Sequence, residues 1–185
     1  YGFAFVNRDR LLPTFEQIKK TEALVGDYQK RYRDKAKIYY VIPDYYRNRP
    51  KPCMNGWGKI FLTITPDGYA LPCHSARIIP NLIFPTIHEH SLHWIWYESP
   101  LFNTFRGHQW MKEPCRSCSL RFKDFGGCRC QAYLLLNDAY ATDPVCDLSP
   151  KHGVIQEAID RAMENTCKEI PLIYRNTRTS KSFLK

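Results

Sequence analysis

The chain has 185 residues, about the length of one ordinary domain, and a formal net charge of +9 at pH 7. No apolar run reaches the roughly 18 residues that cross a bilayer, and the first residues do not read as a secretory signal. We therefore expect a soluble, cytoplasmic protein that acts without a membrane. Basic chains often bind nucleic acid, but solubility and local charge balance explain this excess better, so we expect no nucleic-acid partner.

The first fifty residues predict a strand, a helix and a second strand. Residues 1–8 are apolar enough for a buried strand, Thr14 and Gln17 form a capping-box pattern for a helix to about Tyr32, and residues 38–42 form a short β-rich run. This order predicts a βαβ unit, the building block of parallel sheets and barrels. A native chain rarely begins inside a core strand, so we expect the sequence to be the C-terminal part of a longer protein.

The middle of the chain predicts a hairpin followed by an interrupted helix. Residues 60–65 alternate apolar and polar, Pro66-Asp67-Gly68 is a strong turn signal, and residues 69–73 form the return strand. The hairpin would place Cys53 and Cys73 near one end. Helical spacing between residues 91 and 105 is interrupted by Pro100.

The end of the chain predicts one more helix. Ser149 suits a cap and Pro150 a first helical position, and the helical spacing runs to about Met163. The tail from 175 to 185 is basic and is expected to be mobile.

Seven of the eight cysteines and one aspartate are spaced as candidate metal ligands. In chain order they are Cys53, Cys73, Cys115, Cys118, Asp124, Cys128, Cys130 and Cys146. Eight donors are enough for two sites with four ligands each. The eighth cysteine, Cys167, lies outside this set and is expected to be a structural or free thiol.

The residues alone leave three kinds of site open. An even number of cysteines could form disulfides, although Cys128 and Cys130 are too close to pair easily with each other. The Cys115-x2-Cys118 pair has the spacing of structural zinc sites, but no second pair of that spacing follows. A short run of cysteines combined with distant ones is also the pattern of iron–sulfur clusters.

The spacing resembles the signature of the SPASM domain of radical S-adenosylmethionine (radical SAM) maturases. That signature has one Cys, a Gly separated by four residues from a second Cys, a Cys-x2-Cys-x5-Cys-x3-Cys run and a last Cys. The matching residues here are Cys53, Gly68, Cys73, Cys115, Cys118, Cys128 and Cys146. Asp124 stands where the general family has a cysteine.

Asp124, the additional Cys130 and several flanking segments are similar to one subfamily in particular, the PqqA peptide cyclases. The segments are RPKPCM at 49–54, GWG at 56–58, LPCH at 71–74 and WMKEPCRSC at 110–118. The resemblance implies a fold that combines α/β and α+β parts. Its parts would be the βαβ end of a radical SAM (β/α) barrel, a SPASM domain, and a C-terminal helix with a basic tail, at 1–50, 51–150 and 151–185.

The resemblance also implies two auxiliary iron–sulfur clusters. The first, a two-iron [2Fe-2S] cluster, would be held by Cys53, Cys73, Cys128 and Cys130. The second, a four-iron [4Fe-4S] cluster, would be held by Cys115, Cys118, Asp124 and Cys146. Oxygen is a harder ligand than sulfur, so a carboxylate would tune the second cluster. Alternatively, Asp124 is only a turn residue before Phe125-Gly126-Gly127.

In the resembling family, a barrel loop of the form Cys-x3-Cys-x2-Cys holds a further four-iron cluster that cleaves S-adenosylmethionine. The resulting radical joins a glutamate to a tyrosine in the precursor peptide PqqA during pyrroloquinoline quinone biosynthesis. A small chaperone, PqqD, presents the peptide, and an external donor such as flavodoxin supplies electrons. Nothing in this sequence matches the loop, so we expect the chain alone to be inactive.

Two other functions fit parts of the pattern. Another SPASM maturase, for example one that forms thioethers, would share the same cluster ligands. A zinc-stabilised interaction or nucleic-acid-binding module would use the Cys115-x2-Cys118 pair and the basic charge.

Overall fold

The computed structural model of the chain describes residues 2–164, 169 and 171–182. The helices are α1 (Gly2–Val6), α2 (Arg8–Leu11), α3 (Phe15–Arg31), α4 (Leu92–Tyr97), α5 (Pro100–Asn103), α6 (Arg121–Asp124), α7 (Arg129–Leu136), α8 (Gly153–Glu164) and α9 (Thr177–Ser182). The strands are β1 (Thr63–Ile64) and β2 (Ala70–Leu71), and short 3₁₀ turns occupy Asp44–Tyr46, Cys53–Asn55 and Ala76–Ile78. Two compact units form, one from residues 1–46 with 155–185 and one from 47–154.

The first unit is helical, and its longest helix begins where the sequence predicts. The Thr14 hydroxyl accepts a hydrogen bond from the Gln17 amide at 3.2 Å, and the Gln17 side chain accepts one from the Thr14 amide at 2.9 Å. This reciprocal capping box satisfies two amides that the first turn of α3 leaves without partners. The predicted helix to about Tyr32 is confirmed, since α3 ends at Arg31.

The prediction that two strands flank α3 is wrong. Residues 2–6 form helix α1, and residues 36–43 have no regular structure. A strand needs a neighbour to satisfy its backbone, whereas a helix satisfies its own, and the described residues offer neither segment a partner strand. Tyr39 and Val41 are accordingly exposed by 75% and 69%. The described residues therefore contain no strand–helix–strand unit.

The last long helix begins later than predicted. Ser149 belongs to a turn, in which its amide donates to the Cys146 carbonyl and its hydroxyl accepts from the Lys151 amide at 3.3 Å. Helix α8 then starts at Gly153 and buries one face at the 3–4 spacing of an amphipathic helix, formed by Ile155, Ala158, Ile159 and Ala162. The basic tail contains helix α9, and Cys167 lies outside the described residues.

The second unit contains the predicted hairpin in shortened form. Thr63 pairs with Leu71 and Ile64 with Ala70, in antiparallel register. The turn closes through a hydrogen bond from the Gly68 amide to the Thr65 carbonyl at 2.8 Å, with Gly68 at φ +83°. A bridge from Tyr69 to Thr86 supports the return strand, which delivers the chain to Cys73.

An apolar core packs beneath this hairpin. Trp57 is 2% exposed, donates its indole N–H to the Leu101 carbonyl at 2.9 Å and meets Phe105 edge-on at 5.2 Å. The predicted interruption at Pro100 is confirmed, because α5 starts there with Ser99 as its cap. Cys73 and Cys130 belong to the same buried cluster, which places two candidate ligands at the edge of this core.

No helix in the described part of the chain combines the length and the apolar character that crossing a lipid bilayer requires.

A tight reversal sets the direction of the chain into Cys128. Phe125, Gly126 and Gly127 all have left-handed backbone, at φ +51°, +74° and +76°. At Gly127 a Cβ atom would lie 2.5 Å from an Asp143 carboxylate oxygen and 2.8 Å from the Pro50 Cβ, so both the conformation and the space require glycine.

Replacing Gly127 with alanine should destabilise the protein more than the same change at Gly107. Gly107 has a similar φ of +75°, but a Cβ there meets nothing within 4 Å, so it isolates the conformational strain of about 1–2 kcal/mol. Gly127→Ala adds overpacking, typically about 1–3 kcal/mol more. Thermal unfolding followed by circular dichroism checks this order, and equal losses for the two variants would contradict it.

Candidate metal centre

Three separate segments bring four cysteines to one place. Cys53 opens a 3₁₀ turn in which Met54 takes left-handed backbone, and Cys73 follows β2. Cys128 is the N-cap residue of α7, and Cys130 lies in its first turn. We call this set of four thiols the first site.

The four thiols of the first site form a closed ring of contacts. Cys53 is within hydrogen-bonding contact of Cys73 and Cys128. Cys130 makes the same two contacts from the other side. The structure therefore brings together the four cysteines that the resemblance implies as ligands of one cluster, although they span residues 53–130.

The ring is set up to hold negative charge on sulfur. Hydrogen bonds from Cys130 and Cys53 lower the pKa of Cys73 to about 3. Contacts with Cys128 and Cys73, together with burial, raise the pKa of Cys53 and of Cys130. One thiolate shared among thiols is the expected state without a cation, and metal binding would displace the remaining protons.

The second site is a small cavity lined by the other four predicted ligands. They are Cys115, Cys118, Asp124 and Cys146, with Pro114 and Leu148 completing the wall. Cys115 lies close enough to sense the charges of Asp124 and Cys146, and burial raises the pKa of its thiol.

Hydrogen-bond donors surround the sulfurs of the second site. The Arg49 guanidinium donates to the Cys146 sulfur at 3.2 Å and also pairs with Asp147 at 3.3 Å. The Leu120 amide donates to the Cys118 sulfur at 3.4 Å. N–H donors stabilise negative charge on sulfur, which is one way that proteins raise the reduction potential of a cluster.

Asp124 serves in a turn and lines the second site at the same time. Its Oδ1 accepts a hydrogen bond from the Gly126 amide at 2.9 Å, as its alternative role as a turn residue requires. The same side chain nevertheless faces the cavity that it shares with three cysteines. The turn bond therefore orients the carboxylate rather than excluding it as a ligand.

Asp143 is a functional residue that the sequence did not reveal. It is fully buried, and burial raises the pKa of its carboxyl to about 6. Its oxygens accept from the Cys128 amide at 2.7 Å, the Val145 amide at 3.0 Å and the Gln131 side chain at 3.0 Å. Asp143 thus ties the segment that bears Cys128 to the segment that ends at Cys146. The Asp-Pro pair at 143–144 is a turn signal that could have drawn attention to it.

Arg129 is the second such residue, and it is 1% exposed. Its guanidinium donates to the carbonyls of Ala139 at 2.9 Å, Ala141 at 2.7 Å and Gly126, and it lies over the Trp110 ring. Burial lowers the pKa of this guanidinium. Its Nε has no hydrogen-bond partner within the described residues. The sequence shows only an arginine between two cysteines.

The histidines near the sites do not form a shared centre. The His88 ring covers Gly68, where a Cβ would lie 2.5 Å from its Nε2. His90 stacks on Trp94 at 3.8 Å, and His93 packs against Tyr97 at 4.8 Å. His74 is exposed and contacts Phe61 edge-on. Each of these rings therefore has a packing role.

No disulfide joins the seven cysteines that the structure describes, which are all free thiols. Nor do any three His, Cys, Asp or Glu side chains of the described ranges surround the centre of a single metal ion. The thiols of the first site touch one another instead. Binding a cluster would move these thiols apart, because several iron and sulfide atoms would lie between them.

The donor chemistry of both sites fits iron–sulfur clusters. The first site offers four soft thiols and the second offers three thiols with one carboxylate. In the first site, Cys73 and Cys130 are buried in the apolar core, which limits the access of water to bound metal.

Comparison with protein families agrees with this chemistry. Residues 53–119 match the model of the SPASM family, described as an iron–sulfur cluster-binding domain. The match includes Cys53, Cys73, Cys115 and Cys118 and ends before the remaining predicted ligands. It supports a relationship with the radical SAM/SPASM enzymes and the binding of iron–sulfur clusters by this chain.

Replacing Cys128 with serine should remove the first cluster and leave the second. Protein reconstituted without oxygen should be brown. With a two-iron and a four-iron cluster, as the resemblance implies, the variant should lose roughly two of about six iron atoms. Iron and acid-labile sulfide analysis measures this loss, with Cys167→Ser as the matched control that keeps full iron. Colourless wild-type protein, or a Cys128→Ser variant with undiminished iron, would contradict the ligand assignment.

Asp124 can be tested against Asp138, which accepts a hydrogen bond from the Tyr140 amide at 2.8 Å in the same kind of turn. Asp124→Ala should lower the iron content or shift the potential of the second cluster, whereas Asp138→Ala should change neither. Asp124→Cys should keep the iron and lower the potential, because sulfur donates more electron density than oxygen. Redox titration with iron analysis checks both, and an Asp124→Ala protein identical to wild type in the two measurements rules out the ligand role.

Proposed function

We propose that this chain is the auxiliary-cluster part of a radical SAM enzyme that modifies a ribosomal peptide, and specifically of a PqqA peptide cyclase. The observation that carries the proposal is the gathering of eight predicted ligands into two sites of four. The match to the SPASM domain supports the wider family, and one residue of each site supports the subfamily.

The subfamily assignment rests on two departures from the general signature. Cys130 completes the first site, where it contacts Cys73 and Cys128. Asp124 lines the second site in place of a cysteine. Both departures thus fall on side chains that face a site.

The reaction of the cyclase joins a glutamate carbon of PqqA to a tyrosine ring. This carbon–carbon bond forms with loss of two hydrogen atoms, one taken by the radical derived from S-adenosylmethionine and one leaving as a proton and an electron. An iron–sulfur cluster, when bound, supplies a centre that exchanges single electrons. The task of this chain is to hold such centres in two sites with different ligands, and so at different potentials.

The residues around the sites determine how polar the surroundings of bound iron would be. Trp57, Leu101 and Phe105 form a dry core behind the first site, and the donors Arg49 and Leu120 face the sulfurs of the second. A dry environment and hydrogen bonds to sulfur shift potentials in opposite directions, because water exclusion disfavours added negative charge and N–H donors favour it. PqqA, the chaperone PqqD and an electron donor such as flavodoxin are the proposed partners.

The test is an assay of the full-length protein that contains this chain together with a radical SAM domain. Incubation with PqqA, PqqD, S-adenosylmethionine and reduced flavodoxin should yield a peptide two hydrogen atoms lighter, located by fragmentation between one glutamate and one tyrosine. A PqqA peptide with that glutamate changed to alanine is the control and should stay unmodified. If S-adenosylmethionine is cleaved but PqqA is not crosslinked, the chain serves another SPASM maturase, such as a thioether-forming one.

A further inference from the structure

We propose that the buried guanidinium of Arg129 sets the reduction potentials of both clusters together, as one positive charge shared by the two sites. This inference rests on the proposed function, since it assumes clusters in both sites. It concerns a residue that coordinates nothing and acts only through its charge and position.

Arg129 is placed against the first site by the chain itself. It stands between Cys128 and Cys130 in the first turn of α7, and its charge acts on the sulfurs of Cys128 and Cys53. Its guanidinium donates to backbone carbonyls and lies 4.7 Å from the centre of the Trp110 ring. These contacts hold the charge away from water.

The same guanidinium is connected to the second site by hydrogen bonds to the segment after Ala139. It donates to the Ala141 carbonyl at 2.7 Å, and the next residue, Thr142, accepts from the Cys115 thiol at 3.6 Å. Its charge also acts on Cys115 directly. One cation therefore acts on sulfurs of both sites.

The placement suits a charge that is permanent and weakly screened. Arginine stays protonated in proteins, and Arg129 is 1% exposed. A charge at the effective dielectric of a protein interior, about 20, acts roughly fourfold more strongly than the same charge in water. Asp143 is the negative charge that faces it and offsets part of its field, but this carboxylate is itself engaged by two backbone amides and Gln131.

The physical consequence is a common shift. Reduction adds an electron to a cluster, and a nearby positive charge stabilises the reduced form, so Arg129 raises both potentials. Arg49 offers the contrast, because it donates to Cys146 and its charge acts on Cys146 and Cys118 of the second site alone.

The experiment compares Arg129→Gln, which keeps hydrogen-bond donors but loses the charge, with Arg129→Lys, which keeps the charge. The full-length protein is reconstituted with ferrous iron and sulfide, its iron is counted, and both auxiliary clusters are titrated by electron paramagnetic resonance. Arg116→Met is the matched control, since it removes an exposed charge between Cys115 and Cys118. Arg49→Met is the single-site comparison.

Arg129→Gln should lower the midpoint potentials of both clusters, whereas Arg129→Lys should leave both near their wild-type values. Arg116→Met should shift neither potential by a comparable amount. Arg49→Met should lower only the potential of the second cluster. Loss of both clusters in the Gln variant with retention in the Lys variant also supports a role of the charge. The inference is overturned if a fully loaded Gln variant keeps both potentials or shifts only one, or if Gln and Lys variants lose iron alike. Wild-type protein without iron would refute the proposed function itself.

Discussion

Ionised thiols repel one another, and residues 47–154 of this chain gather seven cysteines and a carboxylate around two centres. Such a gathering is stable only if protons or cations balance the charge. In the ring of Cys53, Cys73, Cys128 and Cys130, contacts between the thiols lower the pKa of Cys73 and raise those of Cys53 and Cys130, as expected where one thiolate shares the protons of its neighbours. Most of the surrounding structure can be understood as support for this concentration of negative charge.

Two buried ionic side chains provide that support from within. Asp143 fixes the backbone that enters Cys128 and the turn that leads to Cys146, so the two sites keep a constant relation to each other. Arg129 donates hydrogen bonds to three backbone carbonyls, those of Gly126, Ala139 and Ala141. Gly127 completes the arrangement, because only a residue without a Cβ leaves room for the Asp143 carboxylate.

What could be predicted from the sequence was local or carried by the cysteines. The Thr14 capping box and the Pro66-Asp67-Gly68 turn use contacts within a few residues, and both are confirmed. The strand at 38–42 is wrong because strands depend on partners that spacing does not reveal. The eight candidate ligands lie in two groups of four, and the binding of a cluster by each group stays a prediction. Asp143 and Arg129 escaped notice because their roles depend on contacts ten to fifteen residues away, which only the folded chain defines.

The two ligand sets also differ in how much chain they enclose. Cys115, Cys118 and Asp124 lie within ten residues, whereas the four thiols of the first site come from three places between 53 and 130. Closing a longer loop costs more entropy, so short-range donors can meet in an unfolded chain far more readily than distant ones. Iron delivered early in biogenesis would thus bind first at the ligand set that contains the carboxylate. The all-sulfur set exists only once the hairpin and helix α7 have docked, which makes its occupancy a late step of maturation.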